Sequence, residues 1–167
     1  MTTLRTARLT LRKPRLEDAA ALHLAMREPA AMRYWAHPEH ETLERTRAYV
    51  EKMIAAETTG GDEFVIDYQG EVIGKAGMWR AHEVGFLLHP AHWGKGLAHE
   101  AMTALIAHLF ATHATDHLTA EVDPRNAGSL RLLARMGFWE THRAENTLQW
   151  RDEWCDSVYL RLDRQAG

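Results

Sequence analysis

Cysteine is nearly missing from this chain of 167 residues, where Cys155 stands alone. A single thiol forms no intramolecular disulfide, which excludes a stapled secreted scaffold and suits a reducing cytoplasm. Long apolar runs are missing too: none approaches the roughly 18 residues of a membrane span. The opening stretch through Leu4 and Arg5 lacks the apolar core of a secretory signal. Positive charge is not in excess, because 20 Lys and Arg against 23 Asp and Glu leave a formal net charge of −3. The global field expected of a nonspecific nucleic-acid binder is therefore absent. No low-complexity linker or solenoid-length repeat divides the chain. What is there is an ordinary globular composition, 46% hydrophobic and 26% charged. The length suits one domain spanning residues 1–167, which buries about 70% of its unfolded surface without help from disulfides or metal.

Periodicity orders the chain into mixed α and β elements. Ala7 to Lys13 reads as a strand, and Leu16 to Glu28 as a helix carrying Ala19, Leu22, Ala25 and Met26 at helical spacing. Thr42 caps a second helix with Leu43, Val50, Met53 and Ile54 on one face. Phe64 to Tyr68 and Val72 to Trp79, split by Gln69 and Gly70, form a hairpin, and Glu83 to Leu88 extends it to a meander. Lys95 to His113 is a long amphipathic helix, and Leu118 to Val122 is a strand. Ser129 to Met136 is a short helix ended by Gly137. Phe138 to His142 and Trp154 to Leu162 close the chain as strands.

The chemistry concentrates where the meander's last strand meets the long helix. Backbone N–H groups at a helix N-terminus bind anions. Gly94, Gly96 and Ala98 keep side chains out of the way there, and Lys95 adds a positive charge. A dinucleotide fingerprint fails, since His99 stands at the third glycine position. A P-loop fails as well, since Leu97 follows Gly96 and no glycine lies five residues before Lys95. A second segment, Asn126 through Ser129 to Gly137 and Phe138, enters and leaves the short helix.

Together these segments resemble the GNAT N-acetyltransferase superfamily. The first is similar to its acyl-CoA pyrophosphate loop, with Trp93, Gly96 and Ala98 at the motif positions. The second is similar to its Asn…Gly-Phe segment. Arg8 to Arg12, the His89 to Gly96 wording and the tail from Arg143 to Asp156 resemble the ribosomal-protein N-terminal acetyltransferases (RimJ/RimL-like). The resemblance implies an α/β fold with a central mixed, mostly antiparallel twisted sheet, two strands of which splay apart, flanked by helices. It implies acetyl-CoA as donor, with no metal, and a primary amine as acceptor: a protein N-terminus or a small molecule. Backbone groups of Leu87 and Leu88 then hold the pantetheine, the amides of Trp93, Gly94, Lys95, Gly96, Leu97, Ala98 and His99 hold the pyrophosphate, and Asn126 and Ser129 contact the pantetheine arm. Trp93 stands where Arg or Gln is usual. Leu133 stands where many members carry a thiolate-protonating tyrosine, which makes Ser129 the candidate substitute.

Acetyl transfer to an amine needs a neutral nitrogen, a polarised carbonyl and a proton acceptor. Glu83 and Glu145 are the candidate bases, and each has the alternative reading of a surface carboxylate. Trp35 and Trp79, with Glu83, are candidates for the acceptor pocket, although tryptophans serve more often as core or rim. Two His-x-x-His pairs, His37 with His40 and His89 with His92, invite a zinc reading among 11 histidines, but no third ligand is in view. The competing function is a noncatalytic acyl-CoA-binding module. A homodimer stays open, and no membrane or nucleic-acid partner is expected.

Overall fold

Gln69 (φ 54°) and Gly70 (φ 85°) are both left-handed, the pair of conformations that a two-residue type I′ turn requires. The computed structural model describes residues 2–166, and about this turn it pairs β3 (Asp62–Tyr68) with β4 (Glu71–Arg80). Preceding them are β1 (Thr3–Arg5) and β2 (Leu9–Arg12), and following them are β5 (Glu83–Leu88), β6 (His117–Val122), β7 (Trp139–Trp150) and β8 (Glu153–Asp163). They form one eight-stranded sheet of order β1-β2-β3-β4-β5-β6-β8-β7. Every neighbouring pair is antiparallel except β5 and β6, which are parallel. That is the mixed, mostly antiparallel sheet expected.

Alternation along the strands sends side chains to two helical layers. Phe64, Ile66, Ala76, Met78, Val84 and Leu88 pack with Leu97, Ala101, Met102, Leu105 and Leu109 of α4 (Leu97–Thr112) and with Leu133 of α5 (Ala127–Arg135). On the opposite face Val65 meets Ala19 and Leu22 of α1 (Ala19–Met26) and Val50 and Met53 of α3 (Leu43–Ala55). Leu87 meets Ala25 and Met26 of α1 with Ala31 and Met32 of α2 (Pro29–Met32).

Three boundaries differ from the sequence reading. The Asp18 carboxylate accepts from the Arg15 N–H and from the Arg12 guanidinium, each at 2.7 Å. Leu16–Asp18 is accordingly a 3-10 turn, and α1 starts at Ala19. Glu28 precedes proline and is extended (φ −78°, ψ 118°), so α1 ends early and Pro29 opens α2. The strand expected over Phe138 to His142 runs on to Trp150 and turns at Arg151 (φ 54°) directly into β8.

Candidate active site

Gly94 (φ 74°) and Gly96 (φ 76°) place the β5–α4 connection in the left-handed region, where a side chain is strained. Among the described residues, the backbone N–H groups from Gly94 to His99 meet no acceptor before the helix's own bonding begins, Glu100 N–H to Gly96 O. Arg8 braces this loop from outside, its guanidinium donating to the Lys95 carbonyl at 2.9 Å and to Glu100 at 2.9 Å. Glu100 is thereby neutralised beside the loop, and burial notwithstanding, the bonds from Thr6 and Arg8 hold its carboxyl below the usual range. The Trp93 indole N–H is taken by the Leu88 carbonyl at 3.0 Å and its backbone N–H by the Pro90 carbonyl at 3.1 Å, so Trp93, expected from the sequence to lend its amide to the pyrophosphate, has no free donor, and the open amides begin at Gly94. Lys95 is exposed. The result is a cradle for an anion built from amides.

Beyond the loop, β5 and β6 touch through a single register pair, Glu83 with Thr119. The Thr119 N–H also donates to the His82 carbonyl at 2.6 Å. From there the strands part, which is the splay expected. Leu87 and Leu88 have buried side chains, 3% and 5% exposed; they pair with β4 and with no residue of β6, and the Leu88 carbonyl is the one held by the Trp93 indole. Where the strands part lies a cavity of about 350 Å³ lined on one side by Glu83 to Phe86 and on the other by Ala120 to Val122, Asn126, Ser129 and Leu133. Trp35 and Trp79 are also in its wall. The fold thus brings Trp35, Trp79, Glu83, Asn126 and Ser129 together. The loop from Trp93 to His99 lies outside the cavity lining, and so does Glu145, an exposed residue midway along β7 next to a bulge at Asn146 (φ 51°). Asn126 caps α5 by accepting from the Ser129 N–H at 3.3 Å, and both residues stand in the cavity wall.

Charge inside the cavity is more organised than the sequence suggested. Both Glu83 oxygens are engaged: Oε1 by Arg80 at 2.8 Å and Oε2 by the Trp79 indole at 3.1 Å. Glu121, opposite on β6, also lines the cavity. One of its oxygens accepts from Ser157 at 2.6 Å, and Ser157 in turn contacts the Thr147 hydroxyl at 2.6 Å. Deeper, Lys75 donates to both oxygens of Glu63 at 2.7 and 2.9 Å, with side chains 2% and 3% exposed. Gly77 makes room for this pair, because a Cβ there would stand 2.2 Å from Glu63 Oε1. The Lys75 ammonium lies 5.9 and 5.8 Å from the centres of the Trp35 and Tyr49 rings. Burial pushes the Tyr49 hydroxyl above its ordinary pKa. Glu121, Glu63 and Lys75 were missed from sequence. Glu121 continues the polar alternation of His117 and Thr119 in β6 and is exposed, and Glu63 shares β3 with Asp62 and Asp67, so only Lys75, a charge between Gly74 and Ala76, stood out in its strand. Cys155 is buried, and burial first and Glu153 second raise its thiol, so it offers no nucleophile.

The profile of the acetyltransferase (GNAT) domain family matches residues 8–139. An uncharacterized N-acetyltransferase, p20 of Bacillus licheniformis, is 33% identical over 148 residues, 83% of each chain. The [ribosomal protein uS5]-alanine N-acetyltransferase of Escherichia coli is 36% identical over 99 residues, 55% of this chain and 51% of that one. In structure, a ribosomal L7/L12 alpha-N-protein acetyltransferase (RimL) in complex with coenzyme A superposes with TM-score 0.86 at 18% identity, over 97% of this chain and 98% of that one.

Proposed function

The chain belongs to the acetyltransferase (GNAT) domain family, an N-acetyltransferase with acetyl-CoA as donor, and from that premise we propose that it acetylates an α-amine held in the cavity between β5 and β6. The observation that carries this reading is one strand, β5, that parts from β6 beyond Glu83, lines an aromatic, carboxylate-bearing cavity with Glu83 to Phe86 and leads into a loop of free amides from Gly94 to His99. The free N–H groups from Gly94 to His99 fit a pyrophosphate, and the β5 edge at Leu87 and Leu88 fits an extended amide-bearing arm. Asn126 and Ser129 flank that arm from α5. Acetyl-CoA supplies an activated thioester; the remaining work falls to the chain. Trp35 and Trp79 hold the amine's carrier. Glu121 accepts the proton as the N–C bond forms, because among the described residues one of its oxygens meets no protein donor while both of Glu83 are committed to Arg80 and Trp79. Glu83 then positions the Trp79 ring. The Ser129 hydroxyl relays a proton from solvent water to sulfur as the C–S bond breaks, and so ends the step still protonated. An α-amine suits this site, since at pH 7 about one in ten is neutral, against about one lysine side chain in a few thousand.

We extend the reading to one acetyltransferase domain over residues 1–167 working in the cytoplasm, where the lone thiol of Cys155 stays reduced. The test is thiol release from acetyl-CoA against a panel of peptides with free N-termini and of small amines, with product masses recorded. Release above background hydrolysis, with the added mass on an N-terminal nitrogen, is expected. Acetylation confined to lysine side chains would overturn the α-amine assignment.

The cradle has its own expected result. Gly96→Asp forces a side chain into a left-handed position and sets a negative charge against the amides. It should weaken CoA binding by about tenfold or more, given about 1–2 kcal/mol for a charge at a helix N-terminus. Lys95→Ala should change affinity far less. Titration calorimetry with CoA decides, and equal small effects would remove the loop from the binding site.

A further inference from the structure

At the end of α4 remote from the glycine loop, three side chains converge that acetyl transfer does not use. His108 lies one turn before the helix ends, His113 is the first residue after it, and Asp62 opens β3. Both imidazoles aim at one oxygen: His108 Nε2 stands 2.7 Å and His113 Nε2 2.9 Å from Asp62 Oδ2. The three ligand atoms lie within 4.8 Å of one another. Residues five apart on a continuous helix point in different directions. They converge here because the backbone leaves the helix at His113 (φ −108°, ψ 139°) and turns its ring back onto Asp62.

We propose that Asp62, His108 and His113 form a binding site for a divalent transition-metal ion of the zinc class, separate from the acetyl-transfer site. Two imidazole nitrogens and one carboxylate oxygen are a donor set that zinc accepts, leaving the fourth position to water. The burial suits that arrangement: the Asp62 and His108 side chains are 10% and 8% exposed, whereas His113, at 30%, stands on the side open to solvent. The outer contacts needed to orient the ligands are in place. The Lys13 ammonium contacts Asp62 Oδ1, leaving Oδ2 to the two imidazoles, and is itself paired with Glu57 at 2.7 Å. The Phe64 ring stands edge-on to His108 with centroids 5.3 Å apart. Burial opposes ionisation of Asp62, yet the bonds from Lys13, His113 and His108 hold its carboxyl below the usual range, so the ligand is an anion at neutral pH. On binding, each neutral imidazole presents its Nε2 lone pair to the ion and carries its N–H on Nδ1. Lys13 and Arg164, which donates to the His113 carbonyl at 3.0 Å, are balanced by Asp62 and Glu57. The ion therefore gains little long-range attraction, and micromolar affinity is expected.

The experiment uses the full chain after dialysis against a chelator. Calorimetric titration with zinc chloride should give one site per chain of micromolar affinity, and zinc should raise the melting temperature. His113→Gln keeps a donor for Asp62 but offers no imidazole, so it should weaken zinc binding at least tenfold, as should Asp62→Asn. His89→Ala should leave zinc binding intact, which excludes the His89 and His92 pair as the source of the signal. Acetyl-CoA affinity should be the same for wild type and His113→Gln, which also shows that the variant folds. Should His113→Gln not fold, the cobalt-loaded wild type still decides, since imidazole ligation gives visible d–d absorption that zinc displaces. No saturable zinc or cobalt binding by the wild type, or equal binding by a folded His113→Gln, would reduce the cluster to a hydrogen-bonded clamp between α4 and β3.

Discussion

Glu63→Gln is expected to cost about 3–5 kcal/mol of folding stability, the usual penalty for leaving a buried charge without its partner. The substitution preserves shape, so Lys75 stays enclosed, 1% exposed, with an amide in place of a carboxylate. Burial by itself lowers the Lys75 pKa; Glu63 first, joined by Tyr49, more than offsets this and raises it from its ordinary value. Without Glu63 the burial dominates and the ordering reverses. The unfolded chain then binds the proton more readily than the folded one, so the variant's stability rises with pH and its deficit shrinks toward pH 10. The double variant Glu63→Gln, Lys75→Met removes the stranded charge and should recover most of the loss. Urea unfolding at pH 7 and pH 9.5 measures all of this. A single-variant loss under about 1 kcal/mol would mean that water in the adjoining cavity already solvates the pair.

That ion pair also shows where sequence reasoning stops. Runs whose signal is local were legible: the Gln69 and Gly70 turn, the apolar spacing of Leu97, Ala101, Leu105 and Leu109, and the Asn126 cap with its Gly137 exit all fell where expected. The resemblance carried the remainder of the architecture, including the parting of β5 from β6. Glu63 and Lys75 lie 12 residues apart in the chain and meet diagonally across β3 and β4, Lys75 opposite Val65 and Gly77 opposite Glu63. No periodicity in either strand reports that. The Asp62, His108 and His113 cluster likewise joins two distant segments, the start of β3 and the end of α4. Asp62, His108 and His113 share no spacing motif, while the pairs that do, His37 with His40 and His89 with His92, gather no carboxylate ligand among the described residues. The end of β7 was hidden for a different reason. Its solvent-facing residues are polar and its turn at Arg151 and Asp152 contains no glycine, so neither burial nor turn chemistry marked the hairpin.

Glu121→Gln is expected to lower turnover at neutral pH by roughly 10²–10⁴-fold, the range for loss of a general base. Acetyl-CoA affinity should stay the same, because Glu121 lies in the cavity wall and not at the amide cradle. The loss should shrink as pH rises through the amine's own pKa, about 7.7–8.0 for an α-amine, since the acceptor then arrives neutral. Ser157→Ala removes the hydroxyl that fixes the Glu121 carboxylate at 2.6 Å and should cost less, within about tenfold, by loosening orientation without removing the base. Glu83→Gln provides the decisive comparison. Its two oxygens already serve Arg80 and Trp79, and an amide retains one acceptor for that bracket, so the expected change is chiefly in the KM of the acceptor. Initial rates for all three variants across pH 6–9.5 separate the roles. A kcat that falls with Glu83→Gln but not with Glu121→Gln would return the base to β5 and leave Glu121 as a wall of the cavity.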